Sequence, residues 1–363
     1  MAREPGVVSA ERPDYARRHS LPRVDYLATG GTIASVRGED DSAATPILTA
    51  ETIASSVAGI DEVAELATTQ FMQRPSPSIT FADLLRLRDE IAHRVADGSE
   101  GVVVTQGTDT IEETAFALDL MWPGDTPIVI TGAMRNPSLP GADGPANLLD
   151  AVRVAATVQA RGLGVLVVFN DEIHAARFVS KTHTSSPSAF RSSPPGPLGW
   201  VSEGRTMIAA RPVGRFHVDV PSGAVVPPVA LIRLALGDDG RALATLPALG
   251  FRGAVIEGFG GGHVTPPMVP LIEPLASQMP VVLTSRTGSG EVLSSTYRYP
   301  GSEIELLELG LIRAGALDGL KARVLLSLSL AAGLSTDDIA DAFQALGMTT
   351  GPVRVAPPRI PGH

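Results

Sequence analysis

A chain of 363 residues is longer than one hydrophobic core usually supports, so two domains are expected. Apolar residues at 44% against 19% charged describe a globular protein, and a net charge of -10 argues against nucleic acid or an anionic membrane surface as partner. The absence of cysteine excludes disulfides, thiolate catalysis and Cys-ligated metals together.

In chain order, residues 1–22 mix arginines, prolines and acids without a helical or strand period, and read as a mobile tail. The tail holds no apolar core of a secretory signal, and no run approaches the ~20 apolar residues of a membrane span, so the expected location is the cytoplasm. From Val24 onward β-prone and helical runs alternate. Strands are expected at 23–28, 101–105, 127–131 and 164–169, and helices at 49–57, 81–97, 111–120 and 144–159. Such alternation predicts a mostly parallel sheet covered by helices on both faces, an N-terminal α/β domain over 23–190.

Proline and glycine clusters then interrupt the pattern over 191–228, where hairpin strands at 199–208 and 213–220 lead into a linker. A smaller C-terminal α/β domain is expected over 229–363, with strands at 229–236, 253–258 and 280–285. Its last helix is well punctuated: Ser335 caps it with Asp338 reciprocating, Ile339, Phe343 and Leu346 form its apolar face, and Gly347 ends it.

Two segments carry chemistry. Tyr26-Leu27-Ala28-Thr29-Gly30-Gly31-Thr32 and Val102-Val103-Val104-Thr105-Gln106-Gly107-Thr108-Asp109-Thr110 each run from an apolar strand into a glycine turn bearing a threonine. Parallel strands deliver the residues after their carboxyl ends to one rim of the sheet, where open α/β folds bind ligands. The two rims can therefore meet over one small substrate, with backbone N–H groups exposed at the glycines and a hydroxyl as nucleophile. Taken singly, Gly-Gly-Thr reads as a tight turn, Gly-Thr-Asp-Thr as a helix start and Lys181 as a surface lysine; together they read as a site.

These segments resemble the two signature motifs of the L-asparaginase/glutaminase amidohydrolases of the bacterial asparaginase type. The likeness continues through Thr131-Gly132-Ala133-Met134-Arg135, Asp143 to Leu148, Asn170-Asp171-Glu172, Lys181 to Thr184, Gly258 to His263 and Lys321 to Val324. The resemblance implies a two-domain asparaginase-like fold and an amidohydrolase that releases ammonia from L-asparagine or L-glutamine. Thr32 corresponds to the primary nucleophile, and Thr108, Asp109 and Lys181 to a proton relay. In one scheme neutral Lys181 draws the Thr108 proton; in the other the pair positions the water that hydrolyses an acyl intermediate on Thr32. Family correspondence also gives Ser76 to the substrate α-carboxylate and Asp109 to its α-amino group, with backbone groups at Gly31, Gly107, Thr108 and Ala133 holding the carboxylate and reacting carbonyl. The family implies no metal or organic cofactor, an amino-acid amide as the small-molecule partner, and a homodimer or homotetramer.

Four departures from the family pattern stand out, the first bearing on activation of Thr32 and the last two on substrate choice. The loop from Ser35 to Thr49 lacks the family's tyrosine, Ala44 or Thr45 standing in its place, and Gln106 replaces a common histidine. Ser76-Pro77-Ser78 replaces a stretch that often carries Gln or Asp, and His263 stands where asparagine is common. A catalytically dead amino-acid binding protein is the competing class, which the missing tyrosine favours and the four relay positions oppose. The glycine run at 258–262 invites a dinucleotide reading, but His263 stands where the third glycine belongs, so close backbone packing is expected. His174 and His183 have no metal-ligand spacing.

Overall fold

The structure, a computed structural model, describes residues 20–36 and 45–347; residues 1–19 of the expected tail and Ala44 lie outside the described residues. The chain begins with β1 (Arg23–Ala28), the two-residue pair β2 (Ser35–Val36) and β3 (Thr45–Pro46), α1 (Ala50–Ser55) and β4 (Glu65–Gln70). Then α2 (Phe81–Ala96), β5 (Gly101–Thr105), α3 (Ile111–Met121), β6 (Ile128–Thr131), α4 (Gly144–Ala155) and β7 (Val165–Phe169) alternate. Five short strands follow: β8 (Glu172–Ala175), β9 (Val179–Lys181), β10 (Phe190–Ser192), β11 (Gly199–Ser202) and β12 (Arg205–Ile208). The second unit holds β13 (Val229–Arg233), β14 (Gly253–Gly258), α5 (Val269–Ala276), β15 (Val281–Ser285), α6 (Glu303–Glu308), β16 (Ile312–Arg313), α7 (Gly319–Ala331) and α8 (Thr336–Leu346).

The large sheet has the order β12-β11-β8-β7-β6-β5-β1-β4. Its β4, β1, β5, β6 and β7 are parallel, and β8, β11 and β12 add an antiparallel wing. Residues along each central strand go alternately to two separate cores, because successive side chains leave opposite faces. Val102, Val104, Ile128, Ile130, Val165 and Val167 join α2 and α3 on one face. Val103, Val129, Leu166 and Val168 join α1 and α4 on the other. The small sheet, β13-β14-β15-β16, is wholly parallel.

Helix ends follow local chemistry. Thr80 and Asp83 form the capping box that opens α2, and Ser335 with Asp338 forms the one that opens α8, ended by Gly347 as the sequence implies. The hairpin reading needs correction. Both of its strands lie within residues 199–208, turning through Glu203 and Gly204 at positive φ, and residues 213–220 hold no strand. A glycine-containing turn inside the first half of the segment closes the hairpin before the second half is reached.

One core is shared. Val255, Val282, Ile312 and the α7 residues Ala322 to Leu328 pack in the same cluster as α3 and the large sheet. Helix α3 is accordingly buried nearly all round, as an apolar helix between two layers must be. The C-terminal ends of β1, β5 and β6 finish level, with Ala28 opposite Thr105 and Thr105 opposite Thr131.

Candidate active site

The site is built on that level edge, and glycine is what lets its parts close up. Gly30 and Gly31 leave β1 at φ 105° and 88°. A Cβ at Gly31 would lie 2.2 Å from the Gly107 nitrogen, and one at Gly30 2.8 Å from the Arg74 backbone. A Cβ at Gly107 would meet Ser76 Oγ at 2.8 Å, and one at Gly132 the Gln106 carbonyl at 2.4 Å. Four segments therefore touch through backbone where any side chain would force them apart.

Thr32 opens a single 3₁₀ turn, Thr32–Ala34, in which the Gly31 carbonyl accepts the Ala34 N–H and the Ser35 hydroxyl, and the Thr32 carbonyl accepts the Ser35 N–H. Its side chain is half-buried, and among the described residues none is hydrogen-bonded to its hydroxyl. Thr108 and Asp109 lie in the matching turn, Thr108–Thr110, at the start of α3. Lys181, at the end of β9, donates to Thr108 Oγ1 at 2.9 Å and to Asp109 Oδ1 at 2.6 Å. Gly31 lies against Gly107, so Thr32 and Thr108 follow two backbones in direct contact, and the group that includes Lys181 is continuous.

Ser76 is buried in a third short turn, where its Oγ accepts the Asp109 N–H at 3.3 Å and its carbonyl accepts the Thr110 hydroxyl at 3.2 Å. Gln106 extends this chain, since its fully buried amide donates to Thr110 Oγ1 at 3.0 Å. Ala133, also fully buried, follows β6. Its loop is pinned by Asp143, which accepts the Met134 and Arg135 N–H groups, and by Asn147, which donates to the Gly132 carbonyl. Thr45 is exposed on β3.

Glycine turns in backbone contact, a threonine hydroxyl on each of them and an ammonium bridging hydroxyl and carboxylate are the kinds of group that carboxamide hydrolysis requires. Residues 23–214 match the family described as Asparaginase, N-terminal, and residues 228–343 the Glutaminase/Asparaginase C-terminal domain. The chain belongs to the asparaginase family. A probable L-asparaginase of Deinococcus radiodurans is 39% identical, the match covering 89% of this chain and 98% of that protein. A glutaminase-asparaginase of Pseudomonas fluorescens biotype A is 33% identical over 89% of this chain and 90% of its own length. The crystal structure of a probable cytoplasmic L-asparaginase from Campylobacter jejuni has a TM-score of 0.82 at 32% identity, covering 89% of this chain and 99% of that one. As an asparaginase-family member this chain is an amidohydrolase with the family's two-domain fold.

Other motif residues of this asparaginase-family chain serve packing. The glycines after β14 pack tightly, a Cβ at Gly261 lying 2.6 Å from Leu293 and one at Gly262 2.7 Å from Val292, as close backbone packing implies. His174 is fully buried against Ser192, at 3.0 Å from its Oγ. No group of three or more His, Cys, Asp or Glu able to hold a metal exists among the described residues, and no helix there is long and apolar enough to cross a membrane. Gln106, Glu112 and Lys321 contact the site's framework; the motif segments include Gln106 and Lys321 but give neither a role. Their signal was a polar or charged residue inside an otherwise apolar run, most clearly Lys321 in α7.

Proposed function

We propose that this chain hydrolyses L-asparagine to L-aspartate and ammonia. The observation that carries the reading is Lys181 Nζ bonded to both Thr108 Oγ1 and Asp109 Oδ1 beside the turn that presents Thr32. The Thr32 hydroxyl attacks the carboxamide carbon and gives up its proton to the relay, the carbon–nitrogen bond breaks, and the relay returns that proton to the departing nitrogen, which leaves as ammonia. Water activated at Thr108 then cleaves the ester on Thr32, giving aspartate and restoring the hydroxyl. Ser76 holds the α-carboxylate and the Asp109 carboxylate the α-ammonium, which selects amino-acid amides over plain amides. Gly31, Gly107 and Ala133 contribute backbone groups to the carboxylate and the reacting carbonyl.

The proposal extends to a homodimer or homotetramer in the cytoplasm, with residues 23–190 and 229–363 as its domains and 191–228 as hairpin and linker. Cytoplasmic location is in keeping with the Campylobacter jejuni protein, whereas a Haemophilus influenzae relative is described as periplasmic, so cell fractionation decides. The glutaminase-asparaginase relative makes L-glutamine the second substrate to test.

The experiment is ammonia release from L-asparagine, L-glutamine, their D-forms and N-substituted amides. Turnover of L-asparagine, lost in Thr32→Ala and in Lys181→Ala, is expected. Tight binding of these amides by the wild type without ammonia release would mark an amino-acid binding protein and end the proposal.

A further inference from the structure

Lys321 is the most buried charge near the site, at 1% exposure, and it comes from the small domain. Its ammonium donates to Asp318 Oδ2 at 2.8 Å and to Ser180 Oγ at 3.2 Å, and lies 3.8 Å from Glu112 Oε2. Asp318 is the N-cap of α7 and also accepts the Lys321 N–H, so the head of that helix is fixed in register with its own lysine. Ser180 immediately precedes Lys181 on β9, and Glu112 lies on the first turn of α3, three residues after Asp109. Burial pushes the Glu112 carboxyl up; the Lys321 charge opposes this most, followed by the Ser180 hydroxyl and then the Lys181 backbone N–H. Glu113 and Arg323 also face the cluster from α3 and α7.

Stability alone gives little reason for a lysine here. A buried ion cluster is often matched by apolar residues of similar volume, and the surrounding α7 face is leucine-rich. What an ammonium adds is direction: it ties three elements from two domains at one point, one residue along β9 from the lysine that contacts Thr108.

We propose that Lys321 is a positioning residue, holding Ser180 and Glu112 together so that Lys181 stays within reach of Thr108 and Asp109. It acts through β9 and α3 and touches neither hydroxyl of the relay. This inference rests on the proposed relay. A misplacement of about 1 Å in a reacting group can cost roughly 100-fold in rate, so the effect belongs in kcat. Lys321→Met keeps length and burial and is expected to lower kcat by roughly 10- to 100-fold, with KM changed by less than about threefold. Ser180→Ala removes one arm only and lowers kcat by roughly tenfold, while Ser180→Thr, which keeps the hydroxyl and suits a strand, restores it.

The Ser180 pair keeps the test decisive should Lys321→Met fail to fold. Folded Ser180→Ala with kcat within about twofold of wild type would overturn the inference. The position of Lys181 is also read without turnover, from the ¹³Cε signal of the labelled lysine. A shifted or broadened Lys181 signal in Ser180→Ala, recovered in Ser180→Thr, supports the clamp even if no amide is turned over, in which case only the functional reading fails. An unchanged signal rejects the clamp.

Discussion

Gly31 rests directly on Gly107: their backbones approach so closely that a methyl group on the first would lie 2.2 Å from the nitrogen and 2.3 Å from the Cα of the second. The two threonine turns are thus held by main-chain contact, which no rotamer change can relax.

Gly31→Ala tests that contact. Its φ of 88° disfavours any side chain, and the atoms it would strike are backbone. Stability is expected to fall by about 2 kcal/mol or more. Ammonia release should fall by more than about 100-fold, because Gly107 must move and Thr108 follows it. Thermal unfolding and steady-state kinetics check both.

Thr32→Ala should abolish turnover, by at least about a thousandfold, while the folded chain keeps its affinity for the amino acid within roughly tenfold. Titration calorimetry beside the ammonia assay separates the two. Retained turnover would move the nucleophile to another residue, Thr108 first.

Gln106→Leu removes the donor to Thr110, through which the Ser76 carbonyl is held. Losing a hydrogen bond worth about 1 kcal/mol should raise KM for the amide roughly fivefold and leave kcat nearly unchanged. An equal fall in kcat with no change in KM would contradict the role given to Ser76.

His174 sets an acid limit. Burial first, and the Arg191 charge second, lower its pKa from 6.5 to about 4, although Glu172 Oε2 lies 3.4 Å away. Glu172 is shared with Arg191 at 3.7 Å, which weakens that relief. The unfolded chain therefore binds a proton between these pH values that the folded chain refuses. This share of stability is complete above about pH 6.5 and is lost as the pH falls toward 4, by up to about 3 kcal/mol. Denaturant melts from pH 7 to 4 should show the decline, and it should be shallower in His174→Gln.

Much of this was legible in advance. The strands 23–28, 101–105 and 253–258 match their sequence ranges because each is a run of five or six residues, too short for a helix and closed off by glycine or proline. β4 was not legible: Glu65 to Gln70 carries one large apolar residue, and it is a strand because an edge position beside β1 needs only one face covered. Lys181 was legible as a motif residue, yet its meeting with Thr108, 73 positions away, depends on the β9–β10 ladder that local pattern does not announce. Lys321 was likewise a motif residue whose role was not legible, since its partners are contributed by three separate elements.

Helix α3 begins at the relay and has almost no side facing water, being wedged between the large sheet and α7. A fragment ending near residue 214 would bare that helix along its length and is expected to precipitate instead of folding alone. The intact protein should consequently melt in a single transition by calorimetry, and a protease that cuts anywhere in the small domain should silence the distant threonines as surely as a cut beside them.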